Sequence, residues 1–483
     1  MRRFAWPVSV VGGSLLIAVA LRLPAFDLPL NRDEALYATV GSFGGFFDVL
    51  PYADIFDHKQ PLIYPVYWLL DLVAPRKLGA IRLAAAVPPG LACAALILTL
   101  APCIGRARAL AAGAFVLVAT SSLLVEGTDL NTEHLLGLTG ALPVLYALTR
   151  VRSPWRWTPV VCGLLLGLAL LTKAVAVFLI PAVVPALLAG AAVRERSRLR
   201  ELALFAAGAA ALPLAVALAY AAGGALGDLW YANYTFNRLY IDAVPRRLLP
   251  TGRSEIVTLV AVGTAAGLLA LLDRRGRLLL VGTLLLWLAG AAIGAQLSSR
   301  GYRHYYVPVL VPACALACLP IIRAGHAPTM RKAVAAVAAV AALIAIAPFA
   351  RTVAETFGKT GSQLALETYP TEARPWLVQY AIGRAIRARA SPGDRLHVFG
   401  SEPAFYWTSG VRPASMFAYD IPVSIDPGRA LPVVRQDLCR NPPRFLVDPA
   451  ARELAPRPRC LATLPYQPFV AINGVTALEL TRR

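Results

Sequence analysis

Charge is scarce in this sequence, and negative charge most of all. Only 15% of the 483 residues are charged, where a soluble chain of this length carries about 25%. That shortage, with a mean hydropathy of +0.61, excludes an ordinary water-soluble globular protein. No CxxC pair or Cys/His zinc spacing occurs, so a structural zinc site is not indicated. No glycine-rich loop of the P-loop or Rossmann type appears, which removes the nucleotide-binding enzymes built on those loops. Alternating apolar and polar residues, the signature of membrane barrel strands, are missing too. There is no tandem repeat and no low-complexity linker. The net charge of +20 is not spread over a basic face interleaved with aromatics, so it does not read as a nucleic-acid surface.

What the chain has instead is apolar blocks of about 17 to 22 residues, the length that crosses a bilayer as helix. They predict about eleven transmembrane helices, at 7–26, 80–102, 109–126, 133–149, 157–172, 174–192, 202–222, 254–272, 278–296, 304–322 and 333–350. The stretch 61–73 is apolar but short, holds Asp71 and three aromatic residues, and reads as an interfacial helix on the outer leaflet. The start imitates a signal peptide, with Arg2 and Arg3 before an apolar run and Ala18-Val19-Ala20 like a cleavage site. It is read as a retained signal-anchor helix with the same basic n-region.

Orientation follows from the basic residues. With the N-terminus inside, the segments 1–6, 103–109, 150–157, 194–201, 273–277 and 323–332 are cytoplasmic and hold 17 Lys and Arg in 44 residues. Short outer turns at 127–132 and 173 hold one. This asymmetry predicts a multi-pass plasma-membrane protein with a cytoplasmic N-terminus and an extracytoplasmic C-terminus. Three longer segments then face out: 27–79, 223–253 and 351–483. A transmembrane domain over 1–350 and an extracytoplasmic domain over 351–483 are expected. In the latter, a helical stretch at 376–389 precedes Pro392-Gly393-Asp394, and strand-like runs follow at 396–399, 445–447 and 475–480, the pattern of a small α/β domain. Five cysteines (Cys93, Cys103, Cys162, Cys314, Cys318) lie in or beside apolar blocks and read as core residues. Cys439 and Cys460 are the only two in the outer domain, where such residues commonly pair.

Charges at the membrane edge are expensive and call for a reason. The first outer segment opens with Asn31-Arg32-Asp33-Glu34-Ala35-Leu36-Tyr37. Helix capping by Asn31 or Asp33 is one reading; it does not account for two acids and an arginine at a lipid interface. Further on, Pro51-Tyr52-Ala53-Asp54-Ile55-Phe56-Asp57-His58-Lys59-Gln60-Pro61 places two acids, a histidine and a lysine ahead of the interfacial helix. A solvated loop end and a divalent metal held by Asp54, Asp57 and His58 both remain open, though the ligand spacing is not stereotyped. On the same expected side lie Asp129, Glu133, Lys173, Arg238 and Arg300-Gly301-Tyr302-Arg303-His304-Tyr305-Tyr306. Each alone could anchor at the interface. Jointly they place acids and bases at one depth, as a site for an anionic lipid headgroup and a hydroxyl acceptor would.

Asp33-Glu34 with Tyr37, Lys59-Gln60-Pro61-Leu62, Arg82, Gly163-Leu164-Leu165-Leu166-Gly167 running into Leu171-Thr172-Lys173, and His304-Tyr305-Tyr306 together resemble the GT-C membrane glycosyltransferases. Within these, the likeness is to the dolichyl-phosphate-mannose protein mannosyltransferases and the bacterial lipid A aminoarabinose transferases, over roughly residues 1–350. The resemblance implies an inverting hexosyl- or pentosyltransferase of the cell envelope, using a sugar on polyprenyl phosphate and an acceptor hydroxyl on a glycan, lipid or protein outside. It implies Asp33 as base with Glu34 beside it, and a phosphate contact from Lys59. Lys173, Arg238 and Arg303 are further cations for that phosphate. Glu133 or Asp129 corresponds to the second acid, with Tyr37, His304 and Tyr305 on the acceptor side. The sequence departs from the pattern at His58, where the lipid A enzymes have a metal-binding Glu, and at Gln60, where Lys-Pro-Pro is usual. A membrane transporter or lipid flippase is the alternative; its charges would sit near the midplane in paired halves.

Overall fold

The structure is a computed structural model. It describes residues 2–44, 49–151, 153, 155–243, 254–271, 277–297, 300–319, 328–370, 372–449 and 457–481. Of the segments read from sequence, residues 273–276 and 320–327, with the end of the 304–322 span, lie outside the described residues, as do 244–253 of the second outer segment.

The chain forms two compact units that do not follow a single cut at residue 350. The first comprises Met1–Ala25, Arg82–Val216 and Arg246–Lys359 and is helical. Every apolar block expected to span is helix, but several are interrupted. Thr132–Thr139 passes into Ala141–Arg150 at Gly140, the block at 174–192 opens as a 3-10 turn Ala174–Leu179 before Ile180–Val193, and the block at 304–322 opens as a 3-10 turn Arg303–Tyr306 before Val307–Ala317. Among the described residues, six helices are long and apolar enough to cross a membrane: Leu78–Ile104, Ala174–Val193, Arg198–Ala222, Ser254–Leu271, Leu278–Leu297 and Lys332–Ala354. Ala5–Ala20 and Thr158–Thr172 are apolar but shorter.

Packing among apolar helices in lipid relies on close backbone approach at small residues. A Cβ on Gly163 would lie 2.2 Å from the Phe205 carbonyl oxygen, and one on Gly208 would lie 2.5 Å from that of Val160. The paired glycines Gly163 and Gly167 therefore serve helix contact rather than a binding loop. The first helix, Arg2–Ala20, is built into this unit: Ser14 meets Cys93 at 3.4 Å, and Arg22, just beyond it, is buried and donates to Ser121 Oγ at 2.7 Å and Thr120 O at 2.8 Å.

The second unit comprises Phe26–Ile81, Ala217–Pro245 and Thr360–Arg483. Its sheet contains β1 (Arg395–Val398), β2 (Arg412–Pro413), β3 (Phe445–Pro449), β4 (Tyr466–Ile472) and β5 (Val475–Leu480), in the order β2-β1-β3-β5-β4. β2, β1 and β3 run parallel, and the β4–β5 hairpin is antiparallel. The helix Ala373–Arg387 buries Trp376, Val378, Ile382 and Ile386 at helical spacing. Cys439 and Cys460 form a disulfide, with Cα atoms 5.6 Å apart. The first outer segment contributes two helices: Arg32–Ser42, and the 11-residue Ile63–Val73 expected at the interface. Hydrogen bonds from backbone amides tie these pieces together: Gly361 N donates to the Asp27 side-chain Oδ1 at 3.0 Å and Phe56 N to Met416 O at 2.9 Å.

Candidate active site

In the second unit the site starts from a helix cap. Asn31 Oδ1 accepts from Glu34 N at 2.9 Å, and the Glu34 carboxylate reaches back to Asn31 N at 3.5 Å, a complete capping box. Glu34 is 0% exposed, so it fastens the helix start. Asp33 takes no part in the box. Its side chain is 30% exposed and pairs with Lys59 Nζ at 3.1 Å, with Lys59 15% exposed. Capping and the acidic pair are thus separate: Asn31 and Glu34 do the first, which leaves Asp33 available for chemistry.

Lys59 is held by its surroundings. Its carbonyl accepts from Tyr52 Oη at 2.7 Å and Tyr64 Oη at 3.4 Å, and its ammonium lies 5.7 Å from the centre of the Tyr37 ring. Tyr52 sits in the left-handed region at φ 74, a backbone cost that persists only where the surroundings enforce it. Tyr37 is fully buried against Tyr64 and Tyr67. Tyr37, expected on the acceptor side, is thus placed in the packing around Lys59.

Of the metal set read from Asp54, Asp57 and His58, the last two lie 3.4 Å apart and Asp54 turns away. Asp54 is exposed and accepts from Leu50 N at 2.7 Å. Asp57 is buried and accepts from Tyr64 Oη at 3.0 Å and His58 N at 2.6 Å. Burial raises the Asp57 pKa, against the opposing pull of Lys59. His58 Nδ1 lies 3.3 Å from Tyr419 Oη, and its ring packs on Tyr240 and Phe236. Among the described residues, no group of three or more His, Cys, Asp or Glu is placed to hold a metal ion. The π-helical turn Tyr231–Thr235 leads into Phe236–Asp242, whose Asn237 donates to His58 O at 2.8 Å; such turns recur at functional sites. Arg238, on that helix, is exposed and paired with Asp242 at 3.9 Å, so its charge is engaged one turn away.

Behind the Arg32–Ser42 helix, Arg32 Nε donates to Ser401 O at 2.9 Å. Asp420 is buried, and its pKa is raised to about 7 by burial first and then by Glu402, with Arg32 opposing. The folded state therefore binds a proton that the unfolded state has released above about pH 4. Stability falls as pH rises through the window from about 4 to about 7. Asp420→Asn should remove this loss: at pH 8 it stabilises by on the order of 2 kcal/mol, and at pH 3.5 it changes little. Thermal unfolding in detergent at the two pH values checks this; equal midpoints at pH 8 would contradict it.

In the first unit a second charged cluster arises where helices break. Asn131 caps Thr132–Thr139, placing Glu133 in the first turn. Lys173 is extended (φ −161, ψ 130) between Thr158–Thr172 and the Ala174–Leu179 turn, and His304 and Tyr305 lie on the Arg303–Tyr306 turn. Each break frees a side chain that a continuous helix would aim elsewhere. Lys173 pairs with Glu133 and stands 3.9 Å over the Tyr305 ring. Glu133 also accepts from Thr132 Oγ1 at 2.8 Å and lies 3.9 Å from His304 Nε2, while His304 Nδ1 meets Glu126 at 2.6 Å. Glu133 and Lys173 line a cleft with Tyr305 and Trp287. Asp129 is instead buried in an ion pair with Arg82 at 3.6 Å, so of the two acids left open by sequence it is Glu133 that faces the cleft. Arg303 is half-buried at the head of its turn. Glu126, absent from the sequence reading of the site, had one available signal: an acid ending an apolar block.

The sequence profile of the family described as dolichyl-phosphate-mannose-protein mannosyltransferase matches residues 58–220. No curated protein sequence gives a significant match. Among solved structures, ArnT from Cupriavidus metallidurans bound to undecaprenyl phosphate superposes with a TM-score of 0.65 at 15% identity, covering 98% of this chain and 97% of that one. The apo form of the same enzyme gives 0.63 at 17% identity, covering 99% and 98%. The oligosaccharyltransferase of Archaeoglobus fulgidus, in its apo form, gives 0.51 at 14% identity over 92% of this chain and 69% of that one. With six helices long and apolar enough to cross a membrane among its described residues, the chain is a multi-pass membrane protein with the fold of ArnT and of the archaeal oligosaccharyltransferase.

Proposed function

We propose that the protein transfers a sugar from a polyprenyl-phosphate donor to an acceptor hydroxyl on the extracytoplasmic side of the membrane, with inversion at the anomeric carbon. The observation that carries this reading is the Asp33–Lys59 pair at 3.1 Å on a capped helix start. An alcohol is a weak nucleophile until a base takes its proton, and a carboxylate at that position is suited to do so. As the acceptor oxygen bonds to the anomeric carbon, the bond from that carbon to the phosphate oxygen breaks, the hydroxyl proton passes to Asp33, and polyprenyl phosphate leaves. The leaving group needs positive charge more than a proton, and the Lys59 ammonium supplies it. In the first unit, Lys173, paired with Glu133 beside Tyr305, is a separate cation suited to an anionic group.

The fold and the family profile over residues 58–220 support the donor class, since ArnT of this fold binds undecaprenyl phosphate. Neither fixes the sugar or the acceptor. Transport without chemistry is the competing account. Mass spectrometry of lipids and envelope glycans from cells with and without the protein separates the two: transfer predicts a sugar-modified acceptor that disappears with the gene, and an unmodified but displaced lipid would contradict it.

The orientation is part of the proposal. Cysteine placed at Ser42 or at the exposed Ser391 should react with an impermeant maleimide added outside, and cysteine at the exposed Ser197 only after permeabilisation. Outside labelling at Ser197 would reverse the topology and with it the side on which transfer occurs.

A further inference from the structure

The sheet of the second unit carries a feature that sugar transfer does not use. β1 and β2 pair in parallel with Arg395 directly opposite Arg412. Side chains in register on a parallel pair leave the same face, so two guanidinium groups stand side by side on the edge of the sheet. Like charges in this position repel and destabilise the pairing. Both arginines are exposed, and among the described residues neither forms an ion pair.

The two groups stand between two adjoining clefts, of about 790 Å³ and 630 Å³, and both line each of them. Of the three acids that line the clefts, Asp54, Asp394 and Asp437, two are committed. Asp394 is paired with Arg444 at 2.8 Å, and Asp54 accepts from its own turn at Leu50 N, 2.7 Å away. Arg444 is spent on Asp394 and on Glu479, but Arg76, Arg387, Arg395 and Arg412 form no ion pair among the described residues. Arg412 and Arg76 lie on the same Phe43 ring, 5.8 Å and 5.9 Å from its centre. Arg76 Nε is buried with no hydrogen-bond partner among the described residues. Gly410, at φ +74, gives Arg76 its room, since a Cβ there would lie 2.8 Å from Arg76 Nη1. Arg387 adds a further positive charge, bonded among the described residues to the neutral carbonyls of Thr408 and Ser409. Four guanidinium groups thus surround one stretch of open cleft, a geometry suited to bidentate contacts with phosphate or carboxylate.

The neighbourhood identifies the source of the anion. Arg76 follows three residues after the Ile63–Val73 helix, whose end exposes Leu69, Leu72 and Val73. Exposed leucine and valine next to Arg76, whose Nε has no hydrogen-bond partner among the described residues, suit an amphiphile lying at an interface. We propose that the cleft formed by Arg76, Arg387, Arg395 and Arg412 binds the phosphate-bearing headgroup of an anionic lipid. The site stands whether or not the protein transfers sugar.

The test is direct binding, without donor. Protein in phosphatidylcholine nanodiscs is titrated with dihexanoyl phosphatidic acid, and separately with inorganic pyrophosphate, at fixed salt. Phosphatidic acid should bind, and R395Q/R412Q should weaken it by about 30-fold or more. Arg351→Gln, at an exposed pair with Glu355 in the first unit, should leave it unchanged. R412Q alone should lose about 5-fold and raise the thermal midpoint by a few degrees, because one of two repelling charges is gone. Unchanged phosphatidic acid affinity in either variant would overturn the site. Pyrophosphate bound more tightly than the lipid would overturn the lipid assignment and leave a soluble anion as the ligand.

Discussion

Asp33→Asn cuts single-turnover sugar transfer by about 100-fold or more at saturating donor, with the folded protein retained. Two roles compete for Asp33, and their magnitudes differ. As half of a partly exposed ion pair with Lys59, it contributes about 1 kcal/mol or less to stability. As the base, it lowers the barrier by about 3 kcal/mol, the equivalent of that 100-fold. Asparagine keeps the size and removes only charge and basicity. The helix start does not depend on it, because Asn31 and Glu34 form the capping box. Glu34→Gln supplies the matched control: glutamine also closes a capping box, so transfer should fall far less. A wild-type rate for Asp33→Asn would remove Asp33 as the base.

Lys173→Met is expected to destabilise the protein by about 3 kcal/mol, because it strands a buried carboxylate. Glu133 is 1% exposed while Lys173 is 23% exposed, so the cost falls on the acid. Activity lost in that variant alone would say nothing about substrate. The informative protein is Lys173→Met with Glu133→Gln, in which no charge is left unpaired. It should recover most of the stability, as buried pairs replaced by neutral groups commonly do, while transfer stays reduced by about 30-fold or more if the ammonium contacts an anionic substrate group. Thermal unfolding and transfer rate measured on the same preparations decide it. Recovery of both would make the pair structural; recovery of stability alone is the expected result.

Much of the architecture was legible because its causes are local. Apolar blocks gave the helices, and Asp129, Glu133 and Lys173 were noticeable as charges too costly to be incidental, though not their partners. The strands at 445–447 and 475–480 showed as β-branched and aromatic runs, and the pairing of Cys439 with Cys460 followed from their isolation in the polar C-terminal region. What was not legible depends on tertiary placement. β4 contains Pro468 and reaches its register through a bulge near Val470, which obscures the alternation that marks a strand. β2 has only two residues and exists because β1 offers an edge. The composition of the second unit, drawing on residues 26–81 and 217–245 as well as the C-terminal part, has no signature in local pattern. Within the site, sequence could not separate Asn31 from Asp33 as the cap, nor Glu133 from Asp129 as the acid facing a cleft. Both questions turn on which way a side chain leaves a helix start. The glycines of the 163–167 motif drew notice as part of a resemblance, and the structure gives them a packing role.

The most direct measurement is transfer by the purified protein in liposomes from a defined polyprenyl-phosphate sugar to envelope acceptors, with both products quantified. The account predicts that each sugar appearing on acceptor is matched by one free polyprenyl phosphate, with inversion at the anomeric carbon and dependence on Asp33. Donor that crosses the membrane with its sugar still attached, and no polyprenyl phosphate released, would contradict it.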